Sequence, residues 1–310
     1  MGPMNDWDGW SGVLLGLLPA AFRSATPMLW ALLGETLGQR AGVVNLGSEG
    51  QMLVGAASAF AITAHTGSPW LGLAAGALAG LLLSLGHALL CLRFRANQFA
   101  SGIAIWMIGF GLSSLLGASL VGQSITGFAS LATTDLGRHI PFLGWLTPTI
   151  ALSWLATIAA GMFLYRTRPG LALRAAGESS RGAQAAGLRV GLIRGLAVAS
   201  GGLLSGIGGA ALSIDYAQTW AEGMSKGRGL VAVGLVIVAR YNPWLALPTA
   251  LCFGVAEALV LRLQSAGSDA SAHLLHMLPY GVCLAVLIAT CAGSSARATA
   301  PAELRAVLER

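Results

Sequence analysis

The feature that most constrains this chain is a series of apolar segments, each close to the length that crosses a lipid bilayer. A helix needs about 20 mostly apolar residues to span a hydrocarbon core about 30 Å thick. We predict nine such segments, separated by polar linkers, at residues 12–33, 49–64, 69–91, 99–121, 145–165, 192–212, 230–239, 244–262 and 274–291.

A chain that crosses the bilayer must satisfy its backbone hydrogen bonds within itself, so it forms helices or a closed barrel. The segments are long, lack strand-like alternation and are rich in Leu, Ala and Gly, which excludes the barrel. Only 10% of the 310 residues are charged, against about 25% in a typical soluble domain. The sequence therefore predicts an all-α fold, a polytopic bundle of transmembrane helices forming one domain over residues 1–310.

The arginines predict the orientation of this bundle, because short cytoplasmic loops carry an excess of Lys and Arg. An outside N-terminus and a cytoplasmic C-terminus put most basic residues inside: Arg40, Arg93, Arg95, the block 166–194, Arg240, and Arg297, Arg305 and Arg310 in the tail 293–310. The acidic start, residues 122–144, 215–228 and the turn at Asp269 then lie outside. Arg138, Lys226 and Arg228 do not follow this pattern.

Two features refine the bundle. The segment 230–239 is too short to cross unaided, so we expect a broken, tilted or re-entrant helix. Small residues recur four apart in three stripes, which predicts close helix packing: Gly72, Gly76, Gly80 and Ser84; Gly109, Ser113 and Gly117; and Gly201, Ser205 and Gly209.

Polar side chains inside or next to the spans are candidates for a translocation path: Asn45, Glu49, Asn97, Gln98, Ser101 and Glu257. A carboxylate at the bilayer centre is costly, so Glu257 should face the protein interior. It would bind solute, be neutralised by protonation, or pair with Arg262. Glu49 would alternatively pair with Arg40, and the polar group at 97–101 would alternatively cap a helix. Arg23 raises the same question, with its side chain extended to the membrane surface as the simpler answer.

The chain lacks the motifs of several other classes. It has no GxxxxGK[ST] phosphate loop, so it has no ATPase site of that kind. No HExxH, GxSxG or paired-carboxylate motif is present, and the four cysteines lack metal-ligand spacing. We therefore predict a protein without catalytic residues, metal or cofactor of its own. The arginines cluster in loops without interleaved aromatic residues, which argues against nucleic-acid binding.

The longest polar loop, residues 166–194, reads RTRPGLALRAAGESSRGAQAAGLRVGLIR. Ser179 and Ser180 precede a run of small residues that ends at Gly187, a pattern that predicts a short helix with a serine cap and a glycine stop. Such a helix could dock in a groove of another protein. The alternative is a solvated basic loop that only follows the positive-inside rule.

The stretch GLALRAAGESSRGAQAAGLRV resembles the coupling loop of permease subunits of ATP-binding-cassette (ABC) importers, in the family that serves nucleosides, simple sugars and branched-chain amino acids. Four further stretches resemble the same family: ETLGQRAGVVNLGSEGQMLVGA at 35–56, RFRANQFASGIAI at 93–105, EGMSKGRGLVAVGLVIVARYNP at 222–243 and LPYGVCLAVLI at 278–288. GVVNLGSEG and EGMSKGRG are most similar to the nucleoside branch. The chain has Ser179 and Ser180 where the family has Asn-Pro, and Ser48 where a hydrophobic residue is usual.

This resemblance implies a multi-pass permease of the bacterial plasma membrane that imports nucleosides or a similar polar solute. It implies two ATPase subunits that bind ATP and Mg²⁺, a second, similar permease subunit, and an extracytoplasmic solute-binding lipoprotein. Within the cytoplasmic coupling loop 166–194, the ATPase-coupling residues would be Gly177, Glu178, Ser179, Ser180, Ala183, Ala186 and Gly187. The alternatives are a simple-sugar permease, an ion-coupled carrier, and a membrane scaffold without transport.

Overall fold

A computed structural model describes residues 10–131, 144–265, 271–292 and 300–308. Within these residues the regular elements are twelve helices and two π-helical segments that extend them. The helices are α1 (Trp10–Arg40), α2 (Ser48–Thr66), α3 (Pro69–Ala88), α4 (Gln98–Gly117), α5 (Pro148–Arg166), α6 (Arg168–Glu178), α7 (Ser180–Ala185), α8 (Val190–Ala210), α9 (Arg228–Val238), α10 (Pro243–Ser265), α11 (Ala272–Ala292) and α12 (Ala302–Leu308).

The prediction of an all-helical fold with membrane-spanning helices is confirmed. Six described segments are helices long and apolar enough to cross a membrane: Pro69–Arg93, Gln98–Gly117, Pro148–Arg166, Val190–Ala217, Pro243–Gln264 and Leu274–Cys291. The other three predicted spans lie in α1, α2 and the short apolar helix α9. The total of nine spans and the orientation of the termini stay predictions.

The core of the bundle is built around α1 and α8. Helix α8 packs against α1, α2 and α3, and α1 also packs along α10. The predicted small-residue stripes lie buried. Those on α3 and α8 lie in these contacts, and the one on α4 faces α2 and Trp220. A Cβ atom built on Gly80 would overlap the backbone oxygen of Gly202. The backbones of α3 and α8 therefore touch, which is the role predicted for the stripes.

Helix α9 begins inside the bundle. A Cβ atom built on Gly229 would lie 2.5 Å from the Cα atom of Glu49, so the first turns of α9 and α2 meet. At the other end of α9, the Arg40 Nε atom at the end of α1 donates a 2.5 Å hydrogen bond to the Tyr241 carbonyl. Eleven residues make a helix about 16 Å long, roughly half the bilayer core. A broken, tilted or re-entrant helix was the prediction here, and the choice among the three stays open to a test of membrane position.

One predicted boundary is wrong. Residue 215 was placed at the start of an outer loop, but α8 continues as a π-helical segment through Ala217 and keeps Asp215 buried. The hydroxyls of Thr147 and Thr149 donate to its Oδ2 atom. The Arg23 Nη2 atom donates a 2.9 Å bond to the Asp215 carbonyl, which ties α1 to the end of this π-helical segment.

Candidate functional site

A cavity of about 460 Å³ lies where α8, α9, α10 and α11 converge, and we call it the α9 cavity. Its wall combines aromatic, charged and apolar side chains: Leu212, Tyr216, Ala217, Thr219, Ala221, Glu222, Gly223, Met224, Lys226, Arg228, Phe253, Glu257, Val260, Leu261, His276, Pro279 and Tyr280. Pockets of about 300–1,000 Å³ with a mainly apolar lining and a few polar groups are typical of small-molecule sites.

The charged part of this wall is an ion pair between Arg228 and Glu257. The Arg228 Nη2 atom donates to the Glu257 Oε1 atom, and the Tyr216 hydroxyl donates to the same oxygen over 3.4 Å. The guanidinium carbon lies 5.5 Å from the Tyr216 ring centroid and 5.9 Å from that of Phe253. Two ring faces and one carboxylate therefore hold a guanidinium that is almost fully buried.

This pair corrects two sequence-based interpretations. Glu257 faces the interior as predicted, but its basic partner is Arg228 rather than Arg262. Arg228 was assigned to an outer loop, yet it is the first residue of α9 and only 5% exposed. The available signal was its breach of the positive-inside rule, because a basic residue that does not fit the topology is a candidate for a place inside the protein.

Glu49 caps the start of α9 from the first turn of α2. Its Oε1 atom accepts hydrogen bonds from the Ser225 hydroxyl at 2.5 Å and the Gly227 amide at 2.8 Å, and Oε2 accepts from the Gly229 amide at 2.7 Å. A carboxylate at this place accepts hydrogen bonds from amides that have no partner within α9. It also faces the positive end of the α9 dipole. The alternative pairing with Arg40 is wrong, since Arg40 donates to Tyr241, Tyr165 and Arg240.

The remaining path candidates form a second group, away from the wall of the α9 cavity. Asn45 donates to the Gln51 Oε1 atom at 3.2 Å and accepts from the Gly47 amide at 2.9 Å. Gln98 accepts from the Val44 amide at 2.9 Å. These bonds fix the turn between α1 and α2 against the start of α4.

The other two members of this group lie next to that turn. The Ser101 hydroxyl lies 3.0 Å from a ring nitrogen of His87, whose other ring nitrogen contacts the Val44 carbonyl. Asn97 accepts from the Phe99 and Ala100 amides and thereby caps α4, which was the structural alternative considered for it. Participation of Asn45, Asn97, Gln98 and Ser101 in a path stays a prediction.

The loop 166–194 contains the predicted short helix, α7. The Ser179 hydroxyl accepts a 3.0 Å bond from the Gly182 amide, and Gly187 ends the helix with φ of 80°, a left-handed conformation that favours glycine. Ala183 is buried against Ala176 and Val190. Glu178, Ser179, Ala186 and Gly187 are exposed, Ser180 is half-buried and Gly177 is buried. The helix therefore presents one face to solvent.

Comparison with known proteins places the chain in a family. Residues 18–292 match the family described as branched-chain amino acid transport system / permease component. The chain is 43% identical to the putative glucose ABC transporter permease protein of Haloferax volcanii over 81% of this chain and 78% of that protein. It is 32% identical to the guanosine ABC transporter permease protein of Bacillus subtilis, over 80% of this chain and 82% of that protein.

A third relative, the nucleoside ABC transporter permease protein of Lactococcus lactis, is 29% identical over 85% of this chain and 88% of that protein. No solved structure matches the chain. The family match covers most of the chain, so the protein belongs to this family of permease components. It is the multi-pass membrane subunit of an ABC importer, as its loop motifs predicted, and an ion-coupled carrier is not favoured.

Proposed function

We propose that this permease subunit imports nucleosides and that the α9 cavity is part of their path. The observation that carries the proposal is the wall of this cavity, in which the rings of Tyr216, Phe253 and Tyr280 stand beside the Arg228–Glu257 pair. Aromatic rings suit a planar base, and polar side chains suit its edge and the ribose hydroxyls. The Bacillus subtilis relative named for guanosine and the Lactococcus lactis relative named for nucleosides support this assignment.

Charge supports an uncharged solute. Arg228 and Glu257 neutralise each other, so this part of the wall offers hydrogen bonds without a net charge. A zwitterionic amino acid would require fixed partners of both signs for its own two charges, whereas here the two charges satisfy each other. A nucleoside or a sugar needs only donors and acceptors.

The family membership supports a proposed assembly. In it, two ATPase subunits bind ATP and Mg²⁺, a second, similar permease encloses the other half of the path, and an extracytoplasmic lipoprotein delivers the solute. We place nine spans in the bilayer within one domain, 1–310, with the N-terminus outside and the C-terminal tail 293–310 in the cytoplasm. Residues 293–299 and 309–310 of this tail lie outside the described residues.

The proposed ATPase contact is the loop 166–194 with α7 at its centre. The exposed residues of its candidate set, Glu178, Ser179, Ala186 and Gly187, form the face that would enter a groove of the ATPase. Of the buried members, Ala183 packs α7 against α6 and α8, and Gly177 lies against the backbone of Arg40 at the end of α1. The half-buried Ser180 is the first residue of α7. A push on this face would therefore reach the bundle through packed side chains.

A second candidate solute is a simple sugar. The relative from Haloferax volcanii is named as a putative glucose permease and is 43% identical to this chain. The polar wall of the α9 cavity supplies donors and acceptors for sugar hydroxyls as well as for ribose. The two candidates differ in the base, which only a nucleoside would place against the aromatic rings.

The test is uptake of radiolabelled guanosine and glucose by cells that lack the chain, with the chain restored intact or as Gly187→Trp. We expect the intact chain to restore guanosine uptake. Gly187→Trp should insert normally and fail to restore it, because Gly187 is exposed and needs a positive φ that tryptophan rarely adopts. Gly191→Trp is the control for added bulk, since the structure also leaves open space at that glycine.

The outcomes separate the parts of the proposal. Restoration of glucose uptake alone would assign the sugar and reject the nucleoside. Full guanosine uptake by Gly187→Trp would reject α7 as the ATPase contact while leaving the solute assignment intact.

A further inference from the structure

The helix α12 is bound to the coupling loop by side-chain hydrogen bonds. Glu303 Oε1 accepts a 2.9 Å bond from the Ser180 amide at the start of α7. In return, Glu178 Oε2 accepts a 3.3 Å bond from the Ala302 amide at the start of α12. Thus α12 supplies a carboxylate to the amide at the start of α7, and the end of α6 supplies one to the amide at the start of α12.

Arg194 joins this contact to the membrane bundle. From the second turn of α8, its Nη2 atom lies 3.3 Å from the Glu303 Oε2 atom and 3.1 Å from the Ala176 carbonyl in α6. Its Nε atom donates a 2.9 Å bond to the Ala41 carbonyl, directly after α1. One guanidinium therefore links α12, the coupling loop and the turn between α1 and α2. We call Arg194 and Glu303, with these bonds, the cytoplasmic brace.

The brace is anchored and charged. Leu304 is 1% exposed and belongs with Ala300 to the buried apolar cluster that also contains Val44. Partial burial alone would raise the pKa of Glu303, but bonds from the Ser180 amide and Arg194 hold that pKa below its ordinary value. A lowered carboxyl pKa means that the contact is complete at neutral pH and is lost only as the pH falls through that lowered pKa.

A series of contacts also connects the cytoplasmic brace to the α9 cavity. Ala41 begins the turn that leads to Glu49, Glu49 caps α9, and Arg228 in the first turn of α9 pairs with Glu257 in the cavity wall. Each step is a hydrogen bond or a short backbone segment. These contacts connect the start of α7 to the start of α9 through Arg194 and the buried turn at residues 41–47.

We propose that the cytoplasmic brace transmits movement of the coupling loop to the α9 cavity, so that Glu303 and Arg194 are positioning residues for transport. The inference rests on the proposed ATPase contact through α7. It assigns a role to the C-terminal helix that neither the family match nor the names of the relatives describe. Loss of the brace should leave the ATPase bound and hydrolysing ATP while the solute path no longer responds.

The experiment uses the full transporter with its ATPase, partner permease and receptor, reconstituted in liposomes. The variants are Glu303→Gln and Arg194→Lys, with Arg305→Gln as the control because Arg305 is exposed on the same helix. Guanosine uptake and ATP hydrolysis are measured on the same vesicles, or glucose uptake if the cell test selects glucose. Copurification of the ATPase and the thermal midpoint of the complex are recorded for each variant.

We expect Glu303→Gln and Arg194→Lys to lower the solute moved per ATP hydrolysed by about tenfold, the order expected for losing a charged hydrogen bond. ATPase copurification should stay at the wild-type level, and Arg305→Gln should behave as wild type. Wild-type coupling in both variants would overturn the inference. A parallel loss of ATPase binding or thermal stability would also overturn it, because the brace would then be only structural. Gly187→Trp reports on the α7 contact independently.

Discussion

Three carboxylates inside the bundle are paired with groups from other helices or loops. Glu257 meets Arg228, Glu49 meets Ser225 and the amides of α9, and Asp215 meets Thr147 and Thr149. An unpaired buried charge would cost several kcal/mol, so these contacts are conditions for the fold as well as features of the cavity.

The Arg228–Glu257 pair gives a prediction at this scale. Arg228→Gln or Glu257→Gln alone should destabilise the protein by about 3 kcal/mol or more, since each leaves its partner buried without a counter-charge. The double variant should lose less than the sum of the two. The free energy of unfolding, measured for the purified protein across the four-member cycle, checks this coupling. Additive losses would show that the two charges do not interact.

At the scale of elements, α9 is the unusual component. It is too short to cross the bilayer core, and its first turn is held by a carboxylate from α2. Two of its glycines differ in the space around them. Gly229 lies against the backbone of Glu49, whereas nothing lies within 4 Å of a Cβ atom built on Gly234.

This difference predicts opposite effects of the same substitution. Gly229→Ala should destabilise the protein by about 1–3 kcal/mol and reduce uptake, because the first turns of α2 and α9 must move apart. Gly234→Ala should be neutral or stabilising by up to about 1 kcal/mol, since alanine favours a helix over glycine. Thermal midpoints and uptake rates of both variants check the prediction. Equal effects would mean that the close approach to Glu49 is unimportant.

At the scale of the whole molecule, the proposed topology places the turn after α2 outside and the coupling loop inside. Thr66 and Arg181 are both exposed and lie at these two places. In a background without the native cysteines, Thr66→Cys should react with a membrane-impermeant maleimide in intact cells. Arg181→Cys should react only after the cells are permeabilised. The reverse labelling pattern would show that the chain has the opposite orientation to the one proposed.

The sequence alone determined the properties that depend on local composition and spacing. Apolar length predicted the helical membrane fold, four-residue spacing predicted the stripe around Gly80, and Ser179 with Gly187 predicted the ends of α7. The loop motifs also indicated the family that the comparison confirmed. These features are encoded within a single helix or turn, so a pattern in neighbouring residues is sufficient to predict them.

Only the tertiary structure decided which polar residues meet. Glu49 and Ser225 are 176 positions apart, and Glu303 and Arg194 are 109 positions apart. Sequence reasoning instead offered Arg40 for Glu49 and Arg262 for Glu257, because nearby charges are the only partners visible in one chain. The true partners arise when α9 packs against α1, α2 and α11 and when α12 packs against α6. A buried charge then pairs with whatever donor that packing brings within reach.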